Sequence, residues 1–429
     1  MQRYRGGMVS HRPEIDPDAF QAIVRPFDTF QFDGPLLPNL REIICDNTDN
    51  SLGNVYHLIS SKLRHFRMYM DGNRTPGPAT ATMTILSALR AKSPLVEYFS
   101  IIDGYSYREA LAPCISDAIC GLQRLRTFDC SEMALTCEAI FHLASLPNLR
   151  VVDIHIQHGR IGIIPYLHSP FPAVQRLALN CDTMTLAIEF VKRLVRSASL
   201  RELTLCVVDP PSSVQLGQIF SLLVAHSSHE HLRWIHVLHP DFISFGGESP
   251  PELLKADAFE PLLKFTNLVS INIETECSIE ELDDALLMTM AKCWPKLRHI
   301  ALNNDYSYRS PSQCTLRGIL HLVEHCPELI SLRIAFQASA EISWNGRPGG
   351  GVVNANVEEL NVGSSPITDP LTVASFLSNV CPGLTSIVAW DNFDPENPVE
   401  VENRERWRKA IELFQSFVAT KGGIMSIHG

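Results

Sequence analysis

Five histidines, His226, His229, His231, His236 and His239, fall close together in this chain. Imidazole nitrogens are common zinc ligands, and His229-x-His231 and His236-x-x-His239 are the pairs a metal could use. A hydrolase built on them would also need a carboxylate or thiolate to complete the site. No Cys-x-x-Cys, no His-Glu-x-x-His and no nearby paired carboxylates accompany them, so a metal-dependent hydrolase using the His226–His239 region has little support. His325-Cys326 followed by Arg333 is a near miss to a phosphatase loop. That chemistry places the arginine six residues after the cysteine on a Gly-rich turn, and here Leu332 stands there inside a strand-like run. Cys326 therefore reads as a buried cysteine rather than a thiolate nucleophile. No Gly-x-Ser-x-Gly, phosphate-binding loop or dinucleotide fingerprint appears. The expectation is no catalytic residue, no metal, no cofactor and no enzyme.

What remains is a surface, and the rest of the sequence says how it is built. Cys326-Pro327-Glu328-Leu329-Ile330-Ser331-Leu332-Arg333-Ile334 reads as a strand entered from a helix. Its spacing returns at Leu149-Val152-Ile154, Leu200-Leu203-Leu205, Leu268-Ile271-Ile273, Leu297-Ile300-Leu302 and Leu384-Ile387. The lead-in returns too, as Leu37-Pro38-Asn39-Leu40, Leu146-Pro147-Asn148-Leu149 and Cys381-Pro382-Gly383-Leu384. Taking the first leucine-like position as an anchor, anchors fall at Leu40, Leu63, Leu95, Leu125, Leu149, Val174, Leu200, Leu232, Leu268, Leu297, Leu329, Val357 and Leu384. They average roughly 29 residues apart, within the range of leucine-rich repeats. Three residues after each anchor stands a large apolar residue: Ile43, Phe66, Tyr98, Phe128, Val152, Leu177, Leu203, Ile235, Ile271, Ile300, Leu332, Leu360 or Ile387.

Between these strands, 186–195, 286–293 and 319–326 carry apolar residues three and four apart, as helices lying on strands do. The predicted fold is α/β: a leucine-rich-repeat solenoid, or horseshoe, with parallel strands on the concave face and helices on the convex face. Residues 1–35 lack the repeat and are expected to form an N-terminal cap, with a short helix after Asp16. Residues 36–392 would hold about 13 repeats, and 393–429 a C-terminal capping helix and tail, with Trp407, Ile411, Phe414 and Val418 on one face. Two insertions interrupt the rhythm, one opening at 245–251 and a Gly-rich one at 344–351.

Composition agrees. The chain has 429 residues, 45% of them hydrophobic, and a formal charge of −11. That charge argues against a general nucleic-acid binder or an anionic membrane as partner. Twelve cysteines sit mostly in or beside apolar runs, which fits a reducing compartment. The first 34 residues are studded with Arg, Asp and Pro, unlike a signal peptide, and no apolar run approaches transmembrane length. The expected setting is cytoplasm or nucleus, and the expected state a monomer.

Strand residues two, four and six places after an anchor should face the concave surface, by the period-two alternation of a strand. In the central repeats the candidates for partner binding are Trp234, His236, Asn272, His299, Asn303 and Arg333. Tryptophan and arginine dominate interface hot spots; the competing reading is that Trp234 packs under the 245–262 stretch. Toward the N-terminus the same face offers Glu42, Asp46, His65, Arg67, Tyr69, Asp129, Asp153 and His155.

On the Cys-Pro-x-Leu lead-ins at Cys326 and Cys381, the Leu-Pro-Asn-Leu lead-ins at Leu37 and Leu146, and the Leu-x-x-Leu-x-Leu strands, residues 36 to about 420 resemble F-box/leucine-rich repeat proteins of mushroom-forming fungi. The resemblance implies a substrate receptor of a cullin ubiquitin ligase, with a protein substrate held by the repeats and an N-terminal F-box docking on the ligase adaptor. The chain departs from the family before Leu36, where no Leu-Pro-x-Glu-Ile/Leu helix start is found. A free-standing scaffold, inhibitor or decoy with no ligase link is the alternative. No regular asparagine follows the third apolar position, so no asparagine ladder is expected.

Overall fold

The computed structural model describes residues 17–30, 34–46, 52–70, 77–103, 108–157, 169–194, 199–226, 229–239, 252–275, 277–304, 312–338, 346–391 and 394–425. Asp16, the segment 245–251, Trp344 and Asn392, which figured in the expectations above, lie outside the described residues. The chain divides into two units, one ending at His155 and one beginning at Ile156.

In the first unit, helix α1 (Pro17–Phe30) precedes strands β1 (Glu42–Asp46), β2 (His65–Met70), β3 (Tyr98–Asp103), β4 (Thr127–Ala134) and β5 (Val151–Ile156). A 3-10 turn (Leu52–Leu58) and helices α2 (Gly77–Lys92), α3 (Arg108–Cys120) and α4 (Cys137–Ser145) alternate with them. The strands pair in chain order, all parallel. The second unit continues the alternation. It runs β6 (Arg176–Cys181), α5 (Met184–Leu194), β7 (Glu202–Val207), α6 (Ser213–His226), β8 (Trp234–Leu238), β9 (Ser270–Glu274), α7 (Asp284–Cys293), β10 (His299–Leu302), α8 (Leu316–His325), β11 (Ser331–Ile334), β12 (Glu359–Asn361), α9 (Pro370–Val380), β13 (Ser386–Val388) and α10 (Pro398–Met425). Its strands also pair in chain order and parallel. Strand followed by helix, strand beside strand, is the leucine-rich-repeat type of α/β solenoid.

In the second unit, 3-10 turns stand in place of a helix at Ala256–Lys264 between β8 and β9 and at Pro348–Gly351 between β11 and β12. These occupy the two places where the sequence departs from its rhythm. In the second, Gly349 and Gly350 have φ of 78° and 63°, a left-handed conformation that a residue with Cβ adopts at a cost.

The lead-in turns explain why the repeats start where they do. Cys326 caps the C-terminus of α8, and the N–H of Leu329 donates back to its carbonyl at 3.0 Å. The same three-residue return links Leu297 to Trp294, Leu268 to Phe265 and Leu63 to Ser60. Proline after the cap cannot continue a helix, so Cys-Pro both stops the helix and aims the strand. Both lead-in cysteines are buried, and desolvation pushes each thiol up to about 12. Cys326 is thus a protonated core residue whose Sγ lies 3.5 Å from the Trp294 carbonyl, as the sequence led one to expect.

Twelve of the thirteen anchors stand two residues before the strand that the fold gives them. The third does not. Val96, not Leu95, is buried and donates to the Ser93 carbonyl, and β3 begins two residues after Val96. The residue three places on is therefore Phe99, which pairs with Phe66 and Phe128 across the sheet. The three rings form a row with centroids 5.7 Å apart, Phe99 and Phe128 stacked. A one-residue slip moves every side chain of a strand to the other face, so Tyr98 belongs to the open face.

The C-terminal cap is α10, within the expected 393–429. Its inner face is Asn403, Trp407, Ala410 and Phe414, while Ile411 and Val418 are half-buried. The indoles of Trp390 and Trp407 both donate to the carbonyl of Ser365, at 3.0 and 2.7 Å. The Asn403 side chain accepts from the N–H of Ile367 at 2.9 Å. Side chains of α10 thus answer two backbone groups of the turn between β12 and α9.

Two stability predictions follow from this packing. Phe99→Ala should cost about 3–5 kcal/mol of unfolding free energy, as a ring is removed from a packed core, while Tyr98→Ala should cost less than about 1 kcal/mol. Urea unfolding of the two variants measures this; the reverse order would restore Leu95 as the anchor. At Gly383 an added Cβ would run into the backbone carbonyl of Ala355, whereas at Gly53 it would meet open space. Gly383→Ala should therefore destabilise by about 1–3 kcal/mol and Gly53→Ala should not, readable as a difference in Tm.

Candidate partner-binding face

In the second unit, parallel pairing sets the outward residues of neighbouring strands side by side in rows. One row runs Glu202, Trp234, Ser270, His299, Ser331, Glu359. The next runs Thr204, His236, Asn272, Ala301, Arg333, Asn361. Five of the six residues expected at the binding face, Trp234, His236, Asn272, His299 and Arg333, therefore meet on four adjacent strands.

Their exposure differs. Trp234 and Arg333 are half-buried and His299 is exposed, whereas His236 is 5% and Asn272 8% exposed. His236 Nε2 lies 3.2 Å from Ser270 Oγ. Desolvation lowers its pKa from 6.5 to about 4, against an opposing pull from the Glu202 carboxylate. The imidazole is therefore neutral at pH 7. The Asn272 side-chain oxygen is shut from solvent without a hydrogen-bond partner, an arrangement that costs free energy until a donor arrives. Beside it, Glu274 is 6% exposed and its Oε1 lies 3.9 Å from Arg333 Nη2. Arg333 reaches there past Ala301, whose side chain is too small to fill its place in the row. Glu274 stands six places after its anchor Leu268, on the same face, and it is the acidic centre of the patch.

Trp234 also lines a shallow cleft of about 240 Å³ with Arg233, Val269, Lys296, Arg298 and Glu328. Among the described residues, none of its walls comes from 252–262. The segment 245–251, under which the competing reading places Trp234, lies outside the described residues. Three cations rim this cleft, with Arg298 bonded to Glu328 at 2.6 Å and Lys296 to Asn267 at 2.7 Å.

Asn303 does not belong to the face. The chain turns after β10, with φ 45° at Asn303, and the alternation of the strand ends there. The side chain points inward, 1% exposed. Its Oδ1 accepts from the Thr275 N–H at 2.6 Å and its Nδ2 donates to the Cys277 carbonyl at 2.6 Å. Asn303 is a bracket between successive repeats, and both ends of its amide are occupied.

In the first unit the open face carries Glu42, His65, Tyr98 and Thr127 in one row and Ile44, Arg67, Ser100, Asp129 and Asp153 in the next. Arg67 donates to the hydroxyls of Tyr69 and Tyr98 and lies 5.0 Å from the centre of the Tyr98 ring. Tyr98 was hidden from sequence reasoning by the slipped anchor.

The histidines of 226–239 do not gather. His229 Nε2 pairs with the Val224 carbonyl at 3.1 Å, His236 with Ser270, and His231 is exposed. Among the described residues the cluster with metal-ligand spacing lies elsewhere, at His321, Glu324 and His325. No helix of the described residues is long and apolar enough to cross a membrane. Compared with known families and with curated proteins, the chain matches no family model and no individual sequence.

The depressed pKa of His236 has a consequence for stability. The unfolded imidazole titrates near pH 6.5 and the folded one near 4. The stabilisation is complete above pH 6.5 and is lost as pH falls toward 4, reaching about 3 kcal/mol. Urea unfolding at the two pH values should show His236→Gln losing about 3 kcal/mol less than wild type. Equal losses would mean that His236 is as well hydrated in the fold as in the unfolded chain.

Proposed function

We propose that this chain is a non-enzymatic recognition solenoid that holds a protein partner on the open face of β8–β11. The observation that carries the reading is the patch itself. A half-buried tryptophan, an exposed histidine and an arginine share the open face of four adjacent strands with a desolvated carboxylate and an amide oxygen that lacks a donor. Partly buried polar groups flanked by aromatic and Arg side chains are what a protein hot spot contains. The patch suits a partner segment that presents hydrogen-bond donors to Asn272 and Glu274 and an apolar or aromatic group to Trp234. The absence of a catalytic constellation in the sequence and the protonated state of Cys326 support a binding role over chemistry.

The finer reading is that of a substrate receptor related to F-box proteins of cullin ubiquitin ligases, acting in cytoplasm or nucleus as a monomer. Its support is the resemblance of the lead-ins and strands, together with the repeat architecture. The chain would be the substrate-holding half, and contact with the ligase adaptor would fall to the residues before the first repeat.

Trp234 and His299 are the clean probes, because removing Arg333 would strand the Glu274 carboxylate. Each of Trp234→Ala and His299→Ala should weaken a captured partner, Trp234→Ala by roughly 2 kcal/mol or thirtyfold, with Tm unchanged. Proteins captured by wild type and by His65→Ala but lost by both variants identify the partner; capture unaffected by either variant sinks this face. Co-expression with the cullin-ligase adaptor tests the ligase link. Co-purification supports it, and its failure leaves a free-standing binder.

A further inference from the structure

Helix α8 carries the run His321-Leu322-Val323-Glu324-His325. A spacing of four sets the two imidazoles one above the other on a helix face, and three adds the carboxylate beside them. The rings lie parallel, 5° apart with centroids at 6.4 Å. Glu324 Oε2 is 3.9 Å from His321 Nδ1 and 3.8 Å from His325 Nε2. All three donor atoms fall within 4.8 Å of one another. On the other side of the helix, Leu316, Ile319, Leu322 and Val323 are buried and fix its orientation. The ligand-bearing face is thus presented by a rigid element.

The second observation concerns His321 itself. Its Nδ1 is shut from solvent and has no hydrogen-bond partner. In either tautomer that atom is left with an unanswered proton or lone pair. A bound cation would answer it. A tetrahedral ion with bonds near 2.1 Å holds its ligand atoms about 3.4 Å apart. The two Glu–His gaps must close by about half an ångström and the His–His gap from within 4.8 Å, movements within the reach of side-chain rotation, to complete three ligands. Two imidazoles and one carboxylate suit zinc or copper(II) rather than magnesium or calcium, which take oxygen ligands.

We propose that His321, Glu324 and His325 form a three-ligand site for a first-row divalent transition-metal ion, zinc foremost, on the solvent side of α8. The fourth position is open to water or to a ligand from another molecule. The site lies on a helix rather than on the strand face, and it stands or falls independently of the partner proposed above.

The chain holds twelve cysteines and other histidines, so the experiment reads a difference. Metal-free full-length protein is titrated with zinc against a chromophoric chelator, alongside His321→Asn, His325→Asn, Glu324→Gln and the double histidine variant. Wild type should bind one more ion per chain than the double variant. Each single histidine variant should weaken that ion by about tenfold or more, and Glu324→Gln by several-fold. Zinc should raise Tm in wild type and leave the double variant unmoved. Equal stoichiometry and affinity in wild type and double variant would overturn the proposal. So would loss on changing one histidine but not the other, which would mean a single surface imidazole. Far-UV circular dichroism confirms that the variants, altered only at half-exposed or exposed positions, remain folded.

Discussion

The fold depends on one backbone arrangement that recurs at the start of nearly every strand. The carbonyl of the residue after the anchor accepts two N–H groups from the next repeat. Arg41 accepts from Arg64 and His65, Glu97 from Arg126 and Thr127, Val269 from Arg298 and His299, and Ile330 from Glu358 and Glu359. Each donor pair begins one residue after its own anchor, so every repeat is indexed to the one before it. Nothing about side chains need be repeated for this to work, which is why repeats of unequal length, with a helix or a 3-10 turn between strands, still pair in register. The apolar residues three and five places after the anchor then fall on the buried side, and those at two and four on the open side.

Because register decides which face a residue joins, it also decides what can bind. In the second unit it brings together a carboxylate, an arginine, an amide and a histidine that are far apart in sequence. Their environment does the rest. Ala301 leaves room for Arg333 to approach Glu274, and Ser270 orients a His236 that burial keeps neutral. Such a patch is held by the sheet and not by loops, so its groups are arranged before any partner arrives, and the ordering cost of binding is correspondingly small.

The repeat architecture was legible because its signal is redundant: anchor, apolar residue at plus three, and a turn-forming lead-in. It misled where two answers satisfied it equally. Leu95-Val96 followed by Tyr98-Phe99 offers an apolar anchor and an aromatic residue three places on in either register, and it is the burial of Val96 and the packing of Phe99 between Phe66 and Phe128 that choose. Asn303 was placed on the open face by extending strand alternation past the end of the strand, where a left-handed backbone turns it inward. The His321, Glu324 and His325 group was in plain view at helical spacing. Five histidines between 226 and 239 made the denser histidine signal, but the fold does not gather them. Proximity in sequence finds ligands only when the local element brings them to one side.

The indexing of each repeat by the shared carbonyl is tested most directly by amide hydrogen exchange resolved to single residues in β9–β12. The N–H groups of Arg298, His299, Ile330, Ser331, Glu358 and Glu359 should be protected to the same degree as the strand interiors. They should exchange together with Ile271 and Leu332 when the unit opens. Fast exchange at the first member of each pair, with slow exchange at the second, would contradict it. The shared carbonyl would then be a passive neighbour, and register would rest on side-chain packing alone.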